Sequence, residues 1–317
     1  RPAHARGEHV MNDYDLLVVG SANADLVIGV ERRPSAGETV LGSDLAVHPG
    51  GKGANQAVAA ARLGASVSML GRVGRDNFGD YLLENLKSNH VNIEYVRRDD
   101  AATGTAIIVV DADGQNSIVL SPGANGKVSP ADVTAASFGD FRLLLLQLEI
   151  PLETVRSTAQ RAKEHGLQVL LNPAPARSLP DELITLPDFL VPNETELSLL
   201  TEQTVNDIPS AERAAKTLLA HGAQTVIVTL GANGALIVTR EMIKHIPPFK
   251  VDVVDTTAAG DAFIGGFASA RLQDQPLEEA VRYGCACGAL TATKFGAQPS
   301  LPSKEDVENF LSLRRGT

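Results

Sequence analysis

Two acidic residues enclose a run of small residues in the segment DTTAAGD, which covers 255–261. A helical pattern follows, so the backbone N–H groups of Ala258, Ala259 and Gly260 are expected at the amino end of a helix, where unpaired amides and the helix dipole favour an anion. Asp261 would lie beside this anion hole, where a carboxylate can take the proton of an attacking hydroxyl. The alternative is a first-turn acid that only complements the dipole.

Two glycines continue the same helical pattern. Gly265 and Gly266 each cost about 0.5–1 kcal/mol relative to alanine in a helix. They therefore indicate close packing or the close approach of a ligand.

A second glycine-rich turn opens the segment GGKGANQAVAAARLG, which covers 50–64. The turn leads into an alanine-rich helix that is expected to end at Gly64. The spacing of a Walker phosphate loop is absent, because Lys52 is followed by Gly53. Gly51 allows the backbone to touch a ligand, and Lys52 and Asn55 bring a cation and an amide. An ordinary loop-to-helix turn explains the segment equally well.

The segment VPNETE places Asn193 and Glu196 three residues apart after a strand pattern. A capping box explains this pair, since each side chain can bond the other's backbone N–H. The rival interpretation is an oxygen-rich locus that holds Mg²⁺ through its waters.

Two further strand ends bear polar residues. Asn233-Gly234 in TLGANGALIV predicts a hairpin turn, whose glycines could also admit a nucleotide phosphate to the backbone. In GSANADLVI, Asn23 and Asp25 lie on one side of an extended segment. They suit a polyhydroxylated ligand, because a carboxylate accepts hydrogen bonds from two hydroxyls; a turn-forming pair is the alternative.

Composition favours a small-molecule partner. The 317 residues are 44% hydrophobic with a formal net charge of −10, and the absence of a Lys/Arg block argues against a nucleic-acid partner. No run of eighteen apolar residues predicts a membrane span. Cys285 and Cys287 diverge by about 200° on a helix, so they are not expected to share a metal or a bridge, which suits a reducing cytoplasm.

Apolar runs alternate with helical patterns along the chain, which predicts an α/β fold with a mainly parallel sheet. Six runs are the expected core strands. Two stretches, 38–49 and 103–122, break this rhythm and predict a small β-sheet lid, the second with a hairpin turn at Asp113-Gly114. Residues 1–10 are interpreted as a disordered leader before Met11, and 11–317 as a single domain. The predicted core strands are 16–20, 66–72, 142–148, 167–172, 188–192 and 225–230.

Taken together, the motifs resemble those of the ribokinase family of carbohydrate kinases, from about Asp15 to Arg315. GSANAD, PGGKGANQA, LLQLEIPLE, VPNETE, TLGANGA, DTTAAGDAF and KFGAQPSLP occur in the family's order. GGKGANQA is more similar to the ribose-directed branch than to the adenosine- or fructose-directed branches. The resemblance implies a three-layer ribokinase-like fold.

The resemblance also assigns roles to residues. Asp261 would be the general base and Glu196 would help to place Mg²⁺ through water. Cys285 stands where an asparagine near the adenine is expected, so the adenine contacts there are open. The implied sugar contacts are Asn23, Asp25, Gly51, Lys52, Gly53, Asn55, Glu149 and Asp261. The implied ATP contacts are Asn193, Thr229, Leu230, Gly231, Ala232, Asn233, Gly234, Gly260, Asp261 and Cys285. The implied K⁺ ligands, several through backbone carbonyls, are Asp255, Thr257, Thr291, Lys294, Gly296 and Ser300.

The activity implied by the resemblance is transfer of the ATP γ-phosphate to the 5-hydroxyl of D-ribose, in a cytoplasmic homodimer joined through the lid sheets. Two alternatives remain at this stage. One is a sister kinase acting on 2-deoxyribose or fructose. The other is a sugar-binding module without chemistry, against which the intact Asp261, Asn193 and Glu196 argue.

Overall fold

The structure is a computed structural model that describes residues 15–314. The predicted leader at 1–10 and the predicted start at Met11 lie outside the described residues. In the described part, two sheets and ten α-helices make up the fold.

The strands fall into a large sheet and a small one. Nine strands form the large sheet of residues 15–314 and four form the small sheet. The strands are β1 (Leu16–Val19), β2 (Asn23–Gly29), β3 (Ala46–Gly50), β4 (Val67–Gly74), β5 (Asn92–Asp99), β6 (Gly104–Val110), β7 (Asn116–Ser121), β8 (Leu143–Leu146), β9 (Gln168–Leu171), β10 (Phe189–Leu190), β11 (Val226–Thr229), β12 (Ala235–Val238) and β13 (Ile243–Ile246).

Helices alternate with the strands of the large sheet. The helices are α1 (Lys52–Arg62), α2 (Asn77–Ser88), α3 (Pro130–Val133), α4 (Leu152–Glu164), α5 (Asp181–Thr185), α6 (Glu194–Thr201), α7 (Ile208–Ala220), α8 (Ala259–Leu272), α9 (Leu277–Thr291) and α10 (Lys304–Ser312).

The large sheet has the order β13-β12-β11-β10-β9-β8-β1-β4-β5. Its strands are parallel from β5 to β11, and β12 is antiparallel to both of its neighbours. Because side chains alternate across a strand, Leu16 and Val18 of β1 belong to one apolar core and Leu17 and Val19 to the other. The three-layer α/β architecture is confirmed.

All six predicted core strands are present. Five are shorter than predicted by one or more residues, whereas β4 begins one residue later and ends two residues later than predicted. The two hairpin predictions are also correct. Gly114 has a left-handed φ of 76° in the turn between β6 and β7, and Gly234 has a φ of 85° between β11 and β12. Gly64 follows the end of α1 with a φ of 91°, as expected of a helix-terminating glycine.

The lid prediction was wrong in part. The small sheet has the order β3-β2-β6-β7, so β2 is a lid strand although its residues were assigned only to an extended segment. Within 38–49, strand begins only at Ala46, and the earlier residues make one isolated bridge, between Val30 and Gly42. The stretch before Ala46 contains Gly42, Ser43 and Asp44, which do not favour strands.

Close packing explains the two glycines of α8. A Cβ on Gly265 would meet Cβ of Ala59 in α1 at 2.5 Å, and one on Gly266 would meet Sγ of Cys287 in α9 at 2.6 Å. The first of the two contacts draws α8 against α1, the helix that begins at the glycine-rich turn. The two motifs singled out in the sequence therefore lie side by side.

Candidate active site

A cleft of about 240 Å³ opens at the carboxyl edge of the large sheet. Its walls come from the loops after β9, β10 and β11 and from the first turns of α1 and α8, as expected for ligand sites of open α/β sheets. The cleft is lined by Lys52, Asn172, Ala174, Val191, Asn193, Glu196, Thr229, Thr256, Ala258, Gly260, Asp261 and Ile264.

Asp261 lies in the first turn of α8 and is 7% exposed. Both carboxylate oxygens accept amide hydrogen bonds from α1. Asn55 Nδ2 donates to Oδ2 over 3.0 Å, and Gln56 Nε2 donates to Oδ1 over 2.9 Å. These bonds hold the carboxylate as an acceptor at the edge of the cleft.

The predicted sugar contact Asn55 is already engaged on both sides of its amide. Its Oδ1 accepts a hydrogen bond from Gln298 Nε2 at 3.0 Å, while its Nδ2 donates to Asp261. One N–H of the Asn55 amide is left for a ligand. Asn55 therefore links the acid of the cleft to the segment that precedes α10.

The loop before α8 contains the predicted anion hole of Ala258, Ala259 and Gly260. Ala258 adopts a left-handed φ of 60°, and no side chain caps the helix. Gly260 has open space where a Cβ would be. Thr256, Ala258 and Gly260 line the cleft, whereas the Ala259 N–H donates to the Thr256 carbonyl at 3.1 Å. The Ala259 amide is therefore engaged, and only the amides of Ala258 and Gly260 remain candidates for contact with an anion.

Glu149 follows β8 and ties together the two segments that flank it. Its Oε2 accepts hydrogen bonds from Ser21 Oγ at 2.5 Å and from the backbone N–H of Lys52 at 3.1 Å. Gly53 lies so close to Ser21 that a Cβ would meet the Ser21 backbone N at 2.6 Å. The glycine-rich turn is therefore pressed against the end of β1.

Asn23 and Asp25 enter the site from the lid strand β2. Asn23 is 4% exposed, and its Oδ1 accepts a hydrogen bond from Asn125 Nδ2 at 2.7 Å. The Asp25 carboxylate lies where a Cβ on Gly50 would have to be. Gly51, with a φ of 88°, turns the chain beside Asn23. The lid and the glycine-rich turn thus meet at the predicted sugar contacts.

The acids of the site act on one another through space. Burial first, and then the charges of Glu149 and Asp261, raise the pKa of Asp25 to about 7. The Asp261 charge, helped by Glu149 and Glu196, raises the pKa of Lys52 despite its burial. Burial, with the Asp261 charge adding to it, raises the pKa of Glu196, although a backbone N–H bond and Lys52 oppose the shift. Three carboxylates, those of Asp261, Glu149 and Glu196, therefore act on the one lysine of the site.

Asn193 and Glu196 form the predicted capping box at the start of α6. Asn193 Oδ1 accepts from the Glu196 N–H at 2.8 Å, and Glu196 Oε2 accepts from the Asn193 N–H at 2.9 Å. Both residues nevertheless line the cleft, and Asn193 is bridged to Thr229 at the end of β11. The structural explanation is correct, and it leaves both side chains beside Asp261.

Comparison with known proteins decides the family. The profile described as pfkB family carbohydrate kinase matches residues 13–304. The chain belongs to this family of carbohydrate kinases.

Individual relatives agree with this assignment. The kinase is 43% identical to a ribokinase of Haemophilus influenzae, over 93% of this chain and 98% of the relative. It is also 43% identical to a deoxyribokinase of Salmonella typhi, over 94% and 99%. A crystal structure of Arabidopsis thaliana ribokinase complexed with ribose and ATP is 35% identical, with a TM-score of 0.88 and coverage of 94% and 98%.

Asp255, the first acid of DTTAAGD, does not line the cleft of the kinase but joins two loops. Its Oδ1 accepts from the Thr257 N–H at 2.9 Å, and its Oδ2 accepts from the Gly296 N–H at 2.9 Å. Although burial opposes the change, these bonds hold the pKa of Asp255 below its usual value. Of the six predicted K⁺ ligands, the structure thus brings Asp255, Thr257 and Gly296 together.

The remaining predicted K⁺ ligands lie in the segment 291–300. Thr291 and Ser300 are fully buried, and Thr291 Oγ1 has no hydrogen-bond partner among the described residues. Ser300 Oγ donates to the Ala297 carbonyl at 2.7 Å. The charge of Lys294 acts on Asp306 at the start of α10. The unpaired buried hydroxyl of Thr291 is compatible with a cation ligand.

Several predicted ATP contacts lie outside the cleft. Gly231, Ala232 and Asn233 are exposed, whereas the Leu230 side chain is packed in the core, so Leu230 can face a nucleotide only through its backbone. Cys285 is partly buried on α9 against the core. Cys285 and Cys287 are both free thiols.

Three buried amides of the site were missed in the sequence. Gln56 and Asn172 are linked to each other at 3.0 Å, and Asn125 joins Asn23 to the backbone of Ala22. The composition of α1 contained one indication of these buried contacts. Gln56 lies beside Asn55 in an alanine-rich helix whose other buried residues are small and apolar, and buried polar groups require partners.

Residues 15–314 contain neither a membrane-spanning helix nor a cluster of metal-ligating side chains. No helix within 15–314 is long and apolar enough to cross a membrane. No group of three or more His, Cys, Asp or Glu residues in this range could hold a metal ion by itself.

Proposed function

We propose that this kinase transfers the γ-phosphoryl group of ATP to the 5-hydroxyl of D-ribose, giving ribose 5-phosphate and ADP. The position of Asp261 carries this proposal. Its carboxylate is held by Asn55 and Gln56 of α1 at the edge of the cleft that Ala258 and Gly260 also line. A hydroxyl on one side of Asp261 and a phosphate on the other would be in reach of each other.

The sugar would be bound by acceptors and donors that surround its hydroxyls. Asp25 and Glu149 supply carboxylates, while Asn23, Lys52 and Asn55 supply N–H donors. The relative complexed with ribose and ATP supports a ribose site in this fold. A second candidate is 2-deoxyribose, because a ribokinase and a deoxyribokinase are both 43% identical to the chain.

The proposed reaction has a simple balance of bonds. Asp261 accepts the proton of the 5-hydroxyl, the hydroxyl oxygen bonds to the γ-phosphorus, and the bond from that phosphorus to the β–γ bridging oxygen breaks, releasing ADP. The amides of Ala258 and Gly260 and the Lys52 ammonium would stabilise the charge that moves across the phosphoryl oxygens. Positioning and electrostatics account for most of such catalysis.

Two cations would assist. Glu196 would hold Mg²⁺ through water, and the bound Mg²⁺ supplies charge neutralisation at the ATP phosphates. The joined loops of Asp255 and 291–300 would hold K⁺, with the unpaired Thr291 hydroxyl and the Asp255 carboxylate nearby. A cation between these loops would fix the loop whose amides bind the phosphoryl group during transfer.

The lid supports a proposal of homodimerisation. Strand register places Val47, Leu26, Ile107 and Val119 in one row across β3, β2, β6 and β7. Asp25 is on the opposite face, and in the row Val47, Ile107 and Val119 are 36%, 47% and 65% exposed. A second copy of this sheet would cover the apolar row. Light scattering that compares the molar mass of Val119→Glu with that of the unsubstituted protein tests the proposed dimer.

The two free thiols and the use of ATP lead us to place the enzyme in the cytoplasm.

The decisive experiment for function is a coupled ADP-release assay across pentoses and hexoses, with ³¹P NMR of the product. We expect the highest kcat/KM with D-ribose and a 5-phosphate monoester. A higher value with 2-deoxyribose or fructose would replace ribose, and no ATP consumption with any sugar would contradict the proposed activity.

A further inference from the structure

The amide of Gln56 is fully buried directly behind Asp261. Its Nε2 donates to Asp261 Oδ1 at 2.9 Å and to Asn172 Oδ1 at 3.0 Å, while its Oε1 accepts from Gln147 Nε2 at 2.8 Å. Both of its N–H bonds and its carbonyl are therefore used. None of these contacts is explained by helix formation, since an alanine-rich helix such as α1 needs no long polar residue.

The direction of this chain of hydrogen bonds is fixed at one end by the backbone. Asn172 Nδ2 donates to the Val191 carbonyl at 3.0 Å, and a carbonyl can only accept. Asn172 Oδ1 must then face Gln56, which turns the Gln56 NH₂ group toward Asp261. A flipped Gln56 amide would set its oxygen against two acceptors, Asn172 Oδ1 and the Asp261 carboxylate, at the cost of buried unpaired groups.

We propose that Gln56 is a positioning residue that holds the Asp261 carboxylate in the acceptor orientation needed for proton abstraction, with Asn172 fixing the direction of its amide. Asn55 holds the other carboxylate oxygen, so two consecutive residues of α1 set the plane of the base. Such orientation matters because small misplacements of a catalytic group cost large factors in rate. The inference rests on the role of Asp261 proposed above.

The test is a kinetic comparison of Gln56→Met with the wild type. Methionine keeps the length of the side chain and removes both N–H donors. We expect kcat to fall about 10–10²-fold, with KM for ribose and for ATP changed by less than about threefold, because the residue acts through Asp261 and not on either substrate. A kcat within twofold of the wild type overturns the proposal.

A matched variant controls for lost stability. Thr154 is buried in α4 away from the cleft, and its Oγ1 donates to the Val128 carbonyl at 2.9 Å. Thr154→Val removes a buried hydrogen bond and should lower the melting temperature while kcat stays near the wild type.

If Gln56→Met fails to fold, Gln56→Glu is the second test variant. It retains the shape of the side chain and sets a carboxylate toward Asp261, so we expect a larger loss of kcat. An unchanged kcat in Gln56→Glu also overturns the proposal.

A double-mutant cycle with Asp261→Asn separates positioning from general damage. In the Asp261→Asn background, Gln56→Met should cause less than a twofold further loss of kcat, because the base through which it acts is gone. The same 10–10²-fold loss in both backgrounds would assign Gln56 a structural role only. If Asp261→Asn alone keeps the wild-type rate, the proposed base is wrong, which is a different outcome from a failure at Gln56.

Discussion

Asn55 Nδ2 donates a hydrogen bond to Asp261 Oδ2 over 3.0 Å, although 206 positions separate the two residues along the chain. This bond joins the first turn of α1 to the first turn of α8, the two helix starts that border the cleft. The proposed base of the kinase is therefore oriented by the same helix that begins at the glycine-rich turn.

Replacing Asp261 by asparagine should stop turnover while both substrates still bind. We expect kcat to fall by about 10²–10⁴-fold or more, because the proton acceptor is lost and the shape of the pocket is kept. Calorimetry should give near-normal affinities for ribose and ATP. Near-wild-type turnover would remove Asp261 from the role of base. The new NH₂ group would face an amide donor of Asn55 or Gln56, so a modest drop in melting temperature is also expected.

Potassium should activate the enzyme more than sodium at constant ionic strength. The reason is the junction of Asp255 with the segment 291–300, where the Thr291 hydroxyl is buried without a partner. Asp255→Ala should reduce the response, whereas Asp252→Ala, which removes an exposed acid three residues away, should keep it. Rates that do not respond to K⁺ over a full titration would rule out the cation site.

Ribose should be preferred to 2-deoxyribose. A site built to bond a hydroxyl is left with unpaired buried groups when that hydroxyl is missing, at roughly 1–3 kcal/mol each. If Asp25 accepts from two ring hydroxyls, Asp25→Ala should raise the ribose KM strongly and narrow the gap in kcat/KM between the sugars. Asp44→Ala, at an exposed acid of the lid, is the control.

Two outcomes would change this assignment. Equal kcat/KM values for ribose and 2-deoxyribose in the wild type would refute the ribose preference. An unchanged gap in Asp25→Ala would move the specificity to Asn23 or to the glycine turn at Gly51.

The raised pKa of Asp25 predicts how the stability of the ligand-free enzyme depends on pH. Between its ordinary value of 3.8 and about 7, the folded state binds more protons at Asp25 than the unfolded state. The contribution of Asp25 to stability is therefore present below pH 3.8 and is lost as the pH rises toward 7. The Asp25→Asn variant has no carboxylate to ionise, so it does not lose this stability as the pH rises. Its free energy of unfolding at pH 8 should therefore exceed that of the wild type by roughly 1–3 kcal/mol.

Urea denaturation at pH 5 and at pH 8 measures this difference directly. The advantage of Asp25→Asn should grow between the two values, while the exposed-acid control Asp44→Asn follows the wild type. An advantage that does not change with pH would show that Asp25 is ionised throughout.

The contact between α8 and α1 predicts a large effect for a single methyl group. Gly265→Ala should destabilise the protein by about 1–3 kcal/mol, because the new Cβ would overlap Ala59 in a packed core. Gly139→Ala, where a Cβ meets nothing within 4 Å, is the matched control. Equal melting temperatures for the two variants would contradict the packing explanation.

The sequence by itself determined the features that depend on neighbouring residues. The capping box of Asn193 and Glu196, the glycine that ends α1 and the hairpin turns at Gly114 and Gly234 are local, and each was predicted correctly. The core strands were also predictable, because apolar runs long enough to be buried mark a parallel sheet whatever the partners. The order of the motifs then indicated the family.

Only the tertiary structure decided which distant groups meet. Asn55 was expected to contact the sugar alone, yet it also bonds Asp261, and Gln56 was not singled out at all. The lid strand β2 was missed because its burial comes from pairing with β3 and β6, which no local pattern of residues 23–29 specifies. Hydrogen bonds between residues about 200 positions apart depend on how α1 and α8 pack, and the small volumes of Ala59 and Gly265 allow that close packing.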